Sequence, residues 1–339
     1  MTRTRYPILV IALAVLTAAV GAGCGGTSDA GGGGGKGELT LVAYSTPKEA
    51  YAEIIPAFGK TPGGKGVSFD QSYGSSGEQE RAVEGGLPAD VVALSLEPDV
   101  TKLVEADLVD PSWNKDRYDG FVTDSIVVFA VRKGNPKNIR SWNDLLKPGV
   151  EVITPNPFTS GGAKWNLMAA YGAQLEQGRS PQQALDYLER LFEQVPVLDK
   201  SARESLQTFS AGKGDVLLAY ENEAITAQQK GEEIDYVRPD ETILIENPAA
   251  VTKNAQNPKE AKAFVDFLRT DRAQKIFAEK GYRPVVKSLV DEKRYPTPAK
   301  LFEIGRLGGW PKVNDEFFDP DKGKIAEIFQ KQGKSTGSG

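Results

Sequence analysis

The chain has 339 residues, 40% of them hydrophobic, with 41 basic and 46 acidic residues and a formal net charge of −5. This balance argues against a nucleic-acid partner, so a bound anion would have to be held by local geometry. The sequence contains no histidine, which excludes imidazole metal sites, Ser-His-Asp triads and Cys-His pairs. Its single cysteine cannot form an intramolecular disulfide. We predict neither a metal site nor a cofactor.

The N-terminal segment has the layout of an export signal, which we assign to residues 1–23. A basic start precedes an apolar run from Pro7 to about Val20, and this run is shorter than the roughly 20 residues that a membrane span needs. The sequence before Cys24 resembles a bacterial lipobox, although Gly21 stands where lipoproteins usually have leucine. Residues 24–37 would then be a lipidated cysteine and a flexible glycine-rich tether. We expect a membrane anchor on the outer face of the cytoplasmic membrane.

After the tether, short apolar runs alternate with stretches of helical periodicity. Helices are indicated by Ser180 before Pro181, by Asn257 before Pro258, and by the apolar spacing from Trp165 onward. The alternation predicts an α/β fold with mainly parallel sheets, whose ligand sites lie at the carboxyl ends of strands. The predicted strands are, in chain order, Leu39 to Tyr44, Val67 to Phe69, Asp90 to Leu94, Ser125 to Val131, Val150 to Thr154, Asp215 to Ala219 and Ile243 to Val251.

Small residues with free backbone N–H groups follow a strand and precede a helix in four segments. Each segment alone is most often a turn or a helix cap. If several helix N-termini converge, their N–H groups and dipoles bind an anion without a formal positive charge. The four segments are Ser45 to Pro47, Gly74 to Gly77, Thr159 to Gly162, and Ser201 with Ala202.

Longer motifs point to one family. The block NPFTSGGAKWN at residues 156–166, QSYGSSGEQ at 71–79 and DVLLAYENEA at 215–224 resemble the bacterial sulfate-binding proteins of sulfate and thiosulfate ABC importers. The resemblance runs from about Leu39 to about Phe318. It implies a two-lobed fold of the periplasmic-binding-protein type II class, with a hinge between two mainly parallel sheets. Lobe one would contain residues 38–123 and 251–339, and lobe two residues 124–250, with the strands predicted near 125–131 and 243–251 pairing at the crossing.

The resemblance also implies the ligand contacts. Tyr220 stands where the family usually has a tryptophan that donates its indole N–H, and Arg203 would brace the site from behind. Because such a shell consists of donors, a P–OH group would be left unpaired, and we expect rejection of phosphate. The implied donors are the backbone N–H groups of Ser45, Ser76, Gly161, Gly162 and Ala202 and the hydroxyl of Ser160, with Gly77 as a further candidate beside Ser76.

We therefore predict a monomeric, extracytoplasmic solute-binding lipoprotein, and no enzyme, that captures sulfate and delivers it to the membrane subunits of an ABC importer. The tyrosine at position 220 leaves thiosulfate, molybdate and tungstate open as ligands. A surface hydrolase using Ser76 or Ser160 would lack a histidine base and a nucleophile-elbow motif. A purely structural or adhesive surface protein would show no ligand-dependent closure.

Overall fold

The structure is a computed structural model that describes residues 37–337. Cys24, the export signal and nearly all of the tether lie outside the described residues, so their assignment stays a prediction. The strands are β1 Gly37–Tyr44, β2 Val67–Gly74, β3 Val91–Ala93, β4 Phe121–Arg132, β5 Val152–Ile153, β6 Val216–Tyr220, β7 Ile234–Val237, β8 Glu241–Val251 and β9 Lys300–Phe302.

Helices connect most of these strands. The α-helices are α1 Lys48–Phe58, α2 Ser76–Glu84, α3 Glu97–Glu105, α4 Gly161–Glu176, α5 Pro181–Glu193, α6 Ala202–Ser210, α7 Glu221–Gln229, α8 Pro258–Leu268, α9 Asp271–Glu279, α10 Gly309–Val313 and α11 Lys324–Lys331. Ser180 caps α5 as predicted and forms a capping box with Gln183. Helix α8 begins at Pro258 as predicted, but the Asn257 side chain makes no cap hydrogen bond. No helix within residues 37–337 is long and apolar enough to cross a membrane.

The strands are hydrogen-bonded in the order β2-β1-β3-β8-β4-β6-β5, with β7 added to β4 and β9 to β8. In lobe one, β1 pairs in parallel with both β2 and β3, as expected. Lobe two is mixed, because β4 runs antiparallel to β6 and to β7, whereas β5 pairs with β6 and β9 with β8 in parallel. The expectation of two mainly parallel sheets therefore holds for lobe one alone.

Two long strands cross between the lobes. The end of β8 pairs with β3 in lobe one, and the end of β4 pairs with β6 in lobe two. Between these parts, β4 and β8 pair antiparallel with each other, with Ser125 opposite Ile245. Strands that belong to both lobes are the elements that a hinge would bend.

The hydrophobic core clusters lie mainly within one lobe or the other, and the C-terminal segment divides between them. Phe264 and Phe277 of α8 and α9 pack in the core of lobe one. Phe302, Trp310 and Phe329 instead belong to the core of lobe two. The assignment of all residues 251–339 to lobe one is therefore wrong from β9 onward, because β9 pairs with the lobe-two end of β8 and the apolar residues after it face lobe two.

Candidate anion-binding site

A small cavity lies between the lobes, and all four predicted segments contribute to it. Within the described part of the chain, none of the residues that line it carries a formal charge. They are Tyr44, Ser45, Thr46, Gly74, Ser75, Ser76, Ser95, Ser160, Gly162, Ala202 and Tyr220. Among residues 37–337, no group of His, Cys, Asp or Glu side chains could hold a metal ion.

Helix N-termini supply the polar character of this cavity. Helix α2 begins at Ser76, α4 at Gly161 and α6 at Ala202, and α1 begins shortly after Ser45. The first N–H groups of each helix have no acceptor within the helix, and the helix dipole places partial positive charge at the same end. The cavity is therefore suited to an anion that accepts hydrogen bonds on all sides.

The start of α4 shows why the SGG sequence is used here. The Ser160 Oγ atom accepts the Ala163 N–H at 3.4 Å, which leaves the Ser160 hydroxyl hydrogen available to a ligand. A Cβ atom on Gly161 would lie 2.8 Å from Ser95 Oγ, too close for a real contact. A Cβ atom on Gly162 would meet only ordinary contacts, the nearest being Ala202 Cβ at 3.4 Å. Because the α4 backbone lies this close to Ser95, position 161 requires glycine more strictly than position 162 does.

Ser76 and Gly77 have different roles from each other. The Ser76 hydroxyl donates to Asp99 Oδ2 at 2.6 Å and accepts the Ser95 N–H at 2.9 Å, which leaves only the Ser76 backbone N–H for a ligand. The Gly77 N–H donates to the Thr159 carbonyl at 3.3 Å, and Gly77 does not line the cavity. The inclusion of Gly77 among the anion donors is therefore wrong, because its N–H joins the start of α2 to the loop before α4.

Arg203 lies behind the cavity. Its guanidinium forms a bidentate ion pair with Glu49, at 2.8 Å and 2.5 Å, and also donates to the carbonyls of Ser45 at 3.3 Å and Thr46 at 3.4 Å. Burial would raise the pKa of Glu49, but hydrogen bonds from Arg203 and Lys230 lower it to about 2. The carboxylate is therefore ionised at neutral pH, and Arg203 is held in the bracing position that the sequence suggested.

Tyr220 lines the cavity and is 1% exposed. Burial raises the pKa of its phenol well above the usual value, so the group is a protonated hydrogen-bond donor at neutral pH. Its hydroxyl lies 2.7 Å from the Ser95 Oγ atom. Tyr220 is thus placed at the cavity, as predicted, with a polar partner that the sequence analysis did not name.

Ser95 is the residue that sequence reasoning missed. It follows β3 and precedes α3, the same strand-to-helix position as the four predicted segments. Its N–H donates to Ser76 Oγ, and its carbonyl accepts Trp165 Nε1 at 2.9 Å and Asn247 Nδ2 at 3.0 Å. The signal that could have found Ser95 is this position in ALSLEP, a serine directly after a buried strand.

Comparison with known proteins decides the family. Residues 39–283 match the family model of the bacterial extracellular solute-binding proteins. The chain belongs to this family. A sulfate-binding protein of Synechococcus elongatus is 46% identical over 292 residues, which cover 83% of each chain. The solved sulfate-binding protein SubI of Mycobacterium tuberculosis is 45% identical with a TM-score of 0.80, covering 83% of this chain and 99% of that one.

The fold of this solute-binding protein recurs at lower identity. The periplasmic binding protein AfuA of Actinobacillus pleuropneumoniae is 20% identical with a TM-score of 0.64, covering 87% of this chain and 97% of that one. These comparisons confirm the predicted α/β periplasmic-binding-protein fold and the resemblance to sulfate-binding proteins. They also confirm that the chain is an extracytoplasmic solute-binding protein and not an enzyme.

Proposed function

We propose that this solute-binding protein captures sulfate and delivers it to the membrane subunits of an ABC importer. The observation that carries the proposal is the convergence of helix N-termini on a cavity lined entirely by neutral residues. Sulfate is a dianion without a proton, so each of its oxygens accepts the hydrogen bonds that such a shell donates. The names of the relatives from Synechococcus elongatus and Mycobacterium tuberculosis agree with this ligand.

Contacts between the lobes support capture by closure. The Gly77 N–H to Thr159, Trp165 Nε1 to Ser95, and Arg203 to Glu49 each join a residue of one lobe to a residue of the other. These contacts surround the cavity, so a ligand inside it would be separated from bulk water. Bending of β4 and β8 would open the same cavity for entry and release.

Thiosulfate, molybdate and tungstate form the second group of candidate ligands. The observation that favours keeping them is Tyr220, whose phenol replaces the indole donor usual in sulfate-binding relatives. The phenol oxygen of a tyrosine lies at a different place in the cavity from the indole nitrogen of a tryptophan. The size of the oxyanion that can accept a hydrogen bond from this donor therefore differs as well.

Lipid anchoring and a monomeric state complete the proposal. The support for the anchor is the order of export signal, Cys24 and glycine-rich tether in the sequence. An anchored protein with a tether of this kind would stay close to its membrane partner while its lobes open and close.

The test is calorimetric titration of the desalted mature protein with sulfate, thiosulfate, molybdate and phosphate. We expect sulfate to bind most tightly and phosphate to bind at least about tenfold more weakly, since its P–OH would lack an acceptor. Arg179→Ala, a change at a half-buried residue outside the cavity, is the matched control and should bind as the parent does. Phosphate binding within a few-fold of sulfate would contradict a donor-only shell, and binding of none of these anions would refute the function.

A further inference from the structure

We propose that Ser95 is a positioning residue of the anion site: its hydroxyl holds the Tyr220 phenol as a hydrogen-bond donor directed at the bound oxyanion. The inference rests on the proposed function and adds a residue that determines how one ligand contact is formed. It starts from the two hydroxyl groups, which both line the cavity and lie 2.7 Å apart.

Asn247 holds the backbone of Ser95 in place. The Asn247 Oδ1 atom accepts from the Tyr44 hydroxyl at 2.9 Å and from Thr123 Oγ1 at 3.3 Å. The amide nitrogen of Asn247 then faces the other way, where it donates to the Ser95 carbonyl at 3.0 Å. The Ser95 hydroxyl is thereby held beside the Tyr220 phenol, and the geometry allows either hydroxyl to donate in the hydrogen bond between them.

When the Ser95 hydroxyl donates to Tyr220, the phenol oxygen accepts and the phenol hydrogen is not used within the pair. That hydrogen is then left for a ligand in the cavity, which both hydroxyls line. Burial keeps the pKa of Tyr220 well above its usual value, so this hydrogen is present at neutral pH. A donor oriented in advance loses less entropy when it binds a ligand than a freely rotating hydroxyl does.

Ser95 also makes this arrangement dependent on lobe closure. It lies at the end of β3 in lobe one, whereas Trp165 and Tyr220 belong to lobe two. Its backbone N–H donates to the Oγ atom of Ser76, which lines the cavity, and its carbonyl accepts the Trp165 indole N–H. The Tyr220 phenol is consequently oriented only when the lobes are together.

A double-mutant cycle tests the inference. Sulfate affinity is measured by calorimetry for the parent, Ser95→Ala, Tyr220→Phe and the double variant, with melting temperatures as the folding control. We expect Ser95→Ala to weaken binding about 5- to 10-fold and Tyr220→Phe about 10-fold or more. Because both changes remove the same oriented donor, the double variant should bind within about twofold of Tyr220→Phe alone. If the fold-losses of the two single variants simply multiply in the double variant, the inference is overturned.

A second background separates positioning from general packing. An indole N–H is a donor that needs no neighbour to orient it. In the Tyr220→Trp background, Ser95→Ala should therefore change sulfate affinity by less than about twofold. An equal loss in both backgrounds would mean that Ser95 supports the fold only, which overturns the inference.

Ser75 provides the matched control. It is a buried serine that lines the same cavity, but its hydroxyl donates to Glu78 at 2.7 Å and does not contact Tyr220. The losses from Ser75→Ala and Tyr220→Phe should therefore multiply. Failure of the parent to bind sulfate would refute the proposed function itself, whereas multiplying losses for Ser95 in a parent that binds sulfate would refute this inference alone.

Discussion

Two carboxyl groups face each other on the strands that cross between the lobes. Asp124 of β4 pairs directly with Glu246 of β8, and like charges in such a pair repel. Burial, and then the Glu246 charge, raise the pKa of Asp124 to about 8, although Arg283 and Lys287 act in the opposite direction. Burial raises the pKa of Glu246 to about 7, with further contributions from the charges of Glu303, Glu97 and Asp119.

Both pKa values lie above those of the same groups in an unfolded chain. At pH values between the unfolded and folded pKa values, the folded protein therefore binds more protons than the unfolded chain does. Its stability should therefore decrease as the pH rises from about 4 to about 8. Raising the pKa of Glu246 from 4.5 to about 7 corresponds to about 3 kcal/mol. Because Glu246 is only half-buried, solvent screening reduces this to about 1 to 2 kcal/mol.

Glu246→Gln removes the ionisable group and keeps its shape. We expect the free energy of unfolding of the variant to exceed that of the parent by about 1 to 2 kcal/mol at pH 8, and to differ by less than about 0.5 kcal/mol at pH 4. Urea unfolding without sulfate at about pH 4, 6 and 8 measures this. Glu84→Gln, an exposed change on α2, is the control. A full gain at pH 4, or none at pH 8, would refute the reasoning.

Three further predictions concern the site and the anchor. Gly161→Ala should lower stability by about 1 to 3 kcal/mol because its Cβ would collide with Ser95, whereas Gly162→Ala should melt close to the parent; equal melting temperatures would contradict this. Arg203→Ala should weaken sulfate binding in calorimetry, since the carbonyls of the β1–α1 loop would lose their donor and Glu49 would keep only Lys230; parent-like affinity would refute the bracing role of Arg203. Cys24→Ser should abolish lipid labelling and membrane partitioning, and labelling that persists would refute the anchor.

Much of the site was predictable because its signals are local. A strand that ends in small residues and is followed by a helix fixes where free N–H groups lie, whatever the rest of the chain does. Ser45, Ser76, Ser160, Gly162 and Ala202 therefore line one cavity in the structure. Their role as ligand contacts stays a prediction.

The errors arise where the outcome depends on contacts between distant segments. The Gly77 N–H has the same local setting as that of Ser76, yet its partner Thr159 comes from the other lobe. Strands β7 and β9 are short and were not predicted, because their pairing with β4 and β8 is what makes them strands. The apolar residues after β9 show that a buried face exists but not which lobe covers it.

The placement of charge around the cavity explains how one site can both hold and release a dianion. Arg203 is the cation behind the loop at Ser45, but Glu49 neutralises it and it reaches only the outer, carbonyl side of that loop. A guanidinium inside the cavity would be a buried, unpaired charge whenever the lobes closed without a ligand, at a cost of several kcal/mol. Neutral N–H donors cost far less when empty, and their dipoles still favour an anion. The Arg203–Glu49 pair thus fixes the geometry of the donors. The strength of binding comes from the N–H donors that closure of the lobes brings together.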